Sequence, residues 1–174
     1  MLSCLSSILL FFILILLILV SPIWIGMKFA PNPGSDIGKW YDALKKPSFN
    51  PPKWIFAPVW TVLYVLMGIS VYIICCQYYG HKQAVIEALI LFFIQYLLNI
   101  LWMPLFFGKK QMLMSFLIIV ILLFMIFLTM LKFYQISLMA FYLLIPYAGW
   151  SLFATVLSFK ILKLNLAMLT LPKK

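Results

Sequence analysis

The chain has 174 residues, 67% of them hydrophobic and only 9% charged, where a water-soluble domain carries about a quarter charged residues. Its net charge of +10 comes from thirteen lysines set against Asp36, Asp42 and Glu87, with no arginine. That balance excludes a soluble globular fold. Because the lysines fall in short gaps between apolar runs, they read as orientation and snorkelling anchors and not as a nucleic-acid surface. The missing arginines remove bidentate clamps for phosphate or carboxylate.

Residues 5–27 form an apolar run long enough to cross about 30 Å of hydrocarbon. The run lacks a basic n-region and exceeds the roughly 7–15 residues of a signal-peptide core, so it reads as a retained helix. Pro22 and Trp24 suit an interfacial position near its end. Residues 28–52 read as one long loop carrying Lys28, Lys39, Lys45 and Lys46. Loops of this length are functional or disordered, and the tryptophan and proline motifs here argue against disorder. Pro47, Pro51 and Pro52 lack amide protons and push the preceding residues towards extended backbone.

The last of these prolines opens the second predicted helix, residues 53–79, at a position where a first turn tolerates proline. Phe56, Trp60, Tyr64 and Met67 share one face of that helix, being four, four and three residues apart. A stiff aromatic loop feeding an aromatic helix face suggests a lid over a pocket. The break YGHKQ follows, with His81 as a solvated loop residue. The third helix covers residues 84–107, the fourth 112–131 and the fifth 137–162, before a lysine-tipped tail. The expected architecture is all-α, one domain over residues 1–174 built as a membrane bundle of five transmembrane helices.

Polar side chains at membrane depth mark function or packing. Gln95 and Asn99 lie one turn apart on the third helix, and Trp102 and Phe106 extend their face. Interhelical hydrogen bonds, each worth under about 2 kcal/mol, account for Gln95 best. For Asn99 packing and ligand contact are evenly weighed. Glu87 is expected at the interface near Lys82 or Lys132. On the fifth helix Pro146, Trp150, Ala154 and Leu157 lie along one stripe, with Pro146 bending the helix and freeing a carbonyl near Tyr142. Ala148, Gly149 and Ala154 allow close helix approach. Trp60 and Trp150 sit inside their spans, where each indole N–H needs a protein or ligand partner.

Cys4, Cys75 and Cys76 have no metal-ligand spacing and read as lipid-facing or core thiols. No Ser–His–acid set, HExxH or glycine-rich phosphate loop is present, and no metal is expected. Any chemistry must come from the tryptophans, a bound chromophore or both. Of the thirteen lysines, five in the long loop with Lys53, two at Lys109 and Lys110 and four from Lys160 onward make eleven on one side. Lys82 and Lys132 make two on the other. The positive-inside rule then puts the long loop and the carboxyl end in the cytoplasm, with the amino terminus outside.

Four blocks, WYDALKKPSFNPP at 40–52, PVWTVLY at 58–64, LNILWMPLFFGKKQ at 98–111 and LLIPYAGWSLFATVLS at 143–158, make the chain resemble the TspO/MBR family of tryptophan-rich sensory and translocator proteins. The resemblance covers about residues 37–165. It implies a five-helix bundle, often a homodimer, whose ligand cavity is closed by the loop between the first two helices. It implies a porphyrin-like ligand such as protoporphyrin IX, held without other cofactor, in contact with membrane lipid and with sterol as a further ligand. The implied ligand-binding residues are Trp40, Tyr41 and Pro51 from the loop, Trp60, Asn99, Trp102, Trp150, Ala154 and Leu157. A receptor for such ligands is the first reading. Its alternatives are a light- and oxygen-dependent porphyrin-degrading enzyme, with Trp60 and Trp150 as its catalytic residues, and a tetrapyrrole or cholesterol transporter. One departure concerns sterol: Phe159 stands where the family's sterol motif has a tyrosine, and that motif is itself weak evidence.

Overall fold

A computed structural model of the chain describes residues 13, 16, 18, 20–22 and 24–166. Most of the first predicted span, Cys4 and the tail lysines Lys173 and Lys174 lie outside the described residues. Those described between 13 and 29 are helical. This amino-terminal segment is tied down by Ser21, whose hydroxyl lies 2.5 Å from that of Tyr96, and by the Tyr96 hydroxyl, which donates to the Ile18 carbonyl at 3.1 Å.

The stretch predicted as a loop carries a helix, α1, Asp36–Ala43. Ser35 caps it by accepting from the Gly38 amide at 2.9 Å, and Asp36 places negative charge in its first turn, where the helix dipole favours it. Gly38 is required by close approach: a Cβ there would sit 2.1 Å from the Asn32 carbonyl oxygen. Four long helices follow: α2, Lys53–Cys76; α3, Lys82–Met103, extended by a π turn over Pro104–Gly108; α4, Met112–Ile136; and α5, Leu138–Leu164. Each of the four, counting α3 through Gly108, is long and apolar enough to cross a membrane. The chain is an integral multi-pass membrane protein with an all-helical fold, and no strand occurs among the described residues.

Helix boundaries shift from the sequence reading for identifiable reasons. α4 runs to Ile136, past the predicted end at 131, because Lys132 stays on the helix and pairs with Glu87 across to α3 at 2.7 Å. α2 stops at Cys76, where Gln77 begins the turn that leads to His81 at the N-cap of α3. The π turn follows from Pro104, which has no amide to donate back to the Ile100 carbonyl. The Lys109 amide instead reaches the Pro104 carbonyl at 2.9 Å, and the widened turn buries both Phe106 and Phe107. α5 passes through Pro146 as one continuous helix.

α4 packs along both α3 and α5, and α2 packs along α5, whereas α2 and α3 scarcely touch. The gap between those two is where the site lies. Below it is an aliphatic and aromatic core with Met67, Val71, Phe92, Ile126 and Phe133 fully buried. At its other end Tyr41 of α1 and Leu44 just after it pack with Phe106, Phe107, Leu157 and Ile161 in a second core. Outward residues such as Leu117, Ile121, Phe124 and Leu131 leave an apolar face on α4 for lipid.

Candidate functional site: an aromatic cavity under the lid helix

The amino-terminal segment and all five helices α1–α5, α4 through Ile119 and Leu122, line a cavity of about 440 Å³, within the range of pockets that bury a drug-sized ligand. Three tryptophans wall it, each held by another aromatic ring. Trp60 stacks on Tyr64 with centroids 5.5 Å apart and planes at 26°. Trp102 lies nearly parallel to Phe106 at 5.0 Å. Trp150 meets Phe56 edge-on at 5.8 Å. Such pairs fix ring orientation beyond what apolar burial alone provides. The indole N–H groups of Trp102 and Trp150 are buried and find no acceptor among the described residues.

One side of the cavity is polar. Tyr64 donates to Asn99 Oδ1 at 2.6 Å, Asn99 Nδ2 donates to the Tyr147 hydroxyl at 3.2 Å, and that hydroxyl donates to Gln95 Oε1 at 2.6 Å. Three helices are thereby joined through one buried chain of hydrogen bonds. Gln95 serves the interhelical packing expected of it, and Asn99 belongs both to this chain of hydrogen bonds and to the cavity wall.

Of the nine predicted ligand-binding residues, the structure brings seven to the wall: Tyr41, Trp60, Asn99, Trp102, Trp150, Ala154 and Leu157. Trp40 and Pro51 stand outside the lining. Trp40 backs the wall through an edge contact with Phe106 at 5.5 Å. Pro51 presents its carbonyl to Asn50 Nδ2 at 3.0 Å, while Asn50 Oδ1 accepts from the Tyr41 hydroxyl at 3.3 Å. Pro146 also turns away, into a groove with Pro58 and Gly149 on the lipid side of α2 and α5. Phe159 is half-exposed against Phe116, far from forming a wall.

Several site residues carried no readable signal. Tyr147 belongs to the stripe beside Pro146, but its hydroxyl matters only once α3 faces it. Pro22, Ile25 and Gly26 complete the wall from the amino-terminal segment. Lys53 lines the mouth, where its ammonium pairs with Asp42 at 2.5 Å and lies 5.6 Å from the centre of the Tyr41 ring. Lys46 stands over the same ring at 4.6 Å, its ammonium donating to the carbonyls of Asp42 and Leu44. Partial burial pulls that ammonium below its usual range, and burial likewise pushes the Tyr41 hydroxyl up. No group of three or more metal-ligating side chains occurs among the described residues.

The model of the TspO/MBR family matches residues 12–164 of this chain. A tryptophan-rich protein TspO of Chlorobaculum tepidum is 42% identical over 80% of this chain and 86% of its own length. The human translocator protein is 33% identical over 80% of this chain and 90% of its own. A protein named CrtK from Rhodobacter capsulatus is 35% identical over 74% of this chain and 79% of its own.

Proposed function

The chain belongs to the TspO/MBR family, and on that premise we propose that it is a membrane receptor for planar, apolar, porphyrin-like ligands, bound in the cavity beneath α1. The observation that carries this reading is the set of three tryptophans around one cavity, two of them with buried indole donors that find no acceptor among the described residues. A flat macrocycle gains stacking and apolar burial there without many hydrogen bonds. Trp40 and Pro51 then act from behind the wall. The name translocator protein, and the name tryptophan-rich sensory protein carried by a relative from Cereibacter sphaeroides, fit a binding or regulatory role.

The same proposal includes a fifth span formed by the amino-terminal run, a homodimer, sterol as a secondary ligand, and the orientation drawn from the lysine count. With the carboxyl end cytoplasmic, a tag after Lys174 is digested only from the cytoplasmic face, and the loop at His81 is labelled from the other. Labelling of both from one side rules out five spans.

Titration of the purified protein with protoporphyrin IX in the dark, followed by illumination, tests the function. Saturable quenching of tryptophan fluorescence without protein-dependent bleaching supports the receptor. Bleaching that requires the protein and yields a defined product turns the assignment to photo-oxidative degradation, with Trp60 and Trp150 facing the macrocycle. Absence of saturable quenching overturns both.

A further inference from the structure

Among the described side chains that line the cavity, Lys53 alone is charged. It stands where α2 begins, directly after Pro51 and Pro52, so its backbone is fixed and its ammonium is delivered to the mouth. Its partner there is Asp42 on the lid helix, 2.5 Å away, with both side chains about half exposed, at 40% and 58%. Around the Tyr41 ring the lid end therefore gathers two ammonium groups, Lys46 and Lys53, against one carboxylate. The balance is one uncompensated positive charge at the entrance to an apolar chamber. Lys46 is already held by two backbone carbonyls. Lys53 is held by a partially solvated ion pair and lies at the edge of reach of the Tyr41 ring, contacts each worth about 1 kcal/mol or less.

We propose that Lys53 is the carboxylate-recognition residue of the cavity, and that Asp42 is its internal placeholder, displaced or shared when a ligand with an acidic edge enters. This rests on the receptor reading above and adds the residue that reads the acidic edge of such a ligand. The body lies between the tryptophans and the carboxylate stays at the mouth, where Lys53 meets it and the charge keeps its water. Asp42 is carried by α1 and Lys53 by α2, so exchange of the pair also changes what holds the lid helix to the bundle.

The test compares protoporphyrin IX with its dimethyl ester by fluorescence quenching in the dark, in a neutral detergent that offers no anionic headgroup to the ammonium. The readout is the ratio of the two affinities measured on each variant, so general damage to the walls cancels. The protein itself is expected to favour the free acid by about three- to fivefold, the scale of a half-exposed ion pair. In Lys53→Met the ratio should fall to near one. In Asp42→Asn it should rise above that of the unaltered protein, because the competitor is gone. Opposite signs from the two halves of one ion pair are not produced by a pair that merely braces the lid. Equal falls in both variants, or an unchanged ratio in Lys53→Met, overturn the assignment while leaving the receptor intact. Failure of both compounds to bind the unaltered protein overturns the receptor reading and this assignment together.

Discussion

The side-chain amide of Asn165 holds both backbone polar groups of Lys45, accepting from its N–H at 3.0 Å and donating to its carbonyl at 2.9 Å. The two residues are 120 positions apart, and the clasp fastens the segment after α1 to the end of α5. Asn165 is only 1% exposed and also donates to the Ile161 carbonyl at 2.8 Å. An extended segment between a lid helix and three prolines has no ladder of its own, so a single amide supplies what a neighbouring strand would.

Asn165→Ala removes all three bonds at once and leaves the Lys45 amide and carbonyl without partners. A loss of about 1–2 kcal/mol is expected from the lost hydrogen bonds, since the freed Lys45 groups are only partly buried and water can reach them. Because the helices do not depend on the clasp, the loss should appear locally. Lysine-specific proteolysis after Lys45 should become fast and ligand release quicker, with a small change in the unfolding temperature. Unaltered cleavage and release would show that the packing of Tyr41 and Leu44 holds the segment by itself.

The buried hydrogen-bond chain makes a graded prediction. In Tyr147→Phe two amides lose their partner, since the hydroxyl donates to Gln95 and accepts from Asn99. In Tyr64→Phe only Asn99 Oδ1 loses its donor. Hydrogen bonds between membrane helices average near 0.6 kcal/mol but reach about 1.7. Tyr147→Phe is therefore expected to lower stability by about 1–2 kcal/mol and Tyr64→Phe by about half as much, read from thermal unfolding in detergent. The reverse order would mean that the chain is drawn from the wrong end.

How much of this was legible in the sequence depended on whether a residue acts through its own helix or through another. Trp60, Asn99, Trp102, Trp150, Ala154 and Leu157 lie on faces defined by helical spacing, and those faces do meet at the cavity. Tyr147 could not be read this way, because its hydroxyl acquires a role only from Gln95 and Asn99 on α3. Asn165 fell beyond the predicted end of the fifth helix, and its partner lies in a stretch read as loop. The helix inside that stretch did have a local signal, Ser35 followed by Asp36, but the prolines at 47, 51 and 52 and the lysines drew the reading of all of residues 28–52 towards a loop. Lys53 was counted as an anchor, since nothing local distinguishes a lysine at a cavity mouth from one at a lipid interface. Lys45 and Lys46 were read as anchors in the same way, and neither lines the cavity.

Trp150→Phe separates the ligand's use of this residue from the protein's. The indole N–H of Trp150 has no acceptor among the described residues, so its removal deprives the empty protein of no hydrogen bond. A ring of similar shape keeps the contacts with Phe56 and Phe153. Stability should fall by no more than about 1–2 kcal/mol, because the smaller ring gives up part of the contact area of a residue that is only partly buried. Porphyrin affinity should fall several-fold and any protein-dependent bleaching should stop. A variant that bleaches porphyrin at the original rate removes Trp150 from any photochemical role.

Two glycines provide a matched test of whether the lid helix is seated as described. At Gly149 a Cβ would meet nothing within 4 Å, whereas at Gly38 it would meet the Asn32 carbonyl oxygen at 2.1 Å. Both are helical, so alanine carries the same intrinsic advantage of about 1 kcal/mol at either place. Gly149→Ala should realise that advantage and raise the unfolding temperature slightly. In Gly38→Ala the clash is with backbone, which cannot turn aside as a side chain could. The loop at Asn32 and the first turn of α1 must separate, and the Ser35 cap, whose hydroxyl also donates to the Asn32 carbonyl at 2.8 Å, is disturbed with them. Hydrogen exchange over residues 36–43 should accelerate and porphyrin release should quicken, while exchange in α4 stays as it was. If Gly38→Ala instead behaves like Gly149→Ala, the turn at Asn32 does not press on α1, and the lid helix is held from its other end, through Leu44 and the clasp at Lys45.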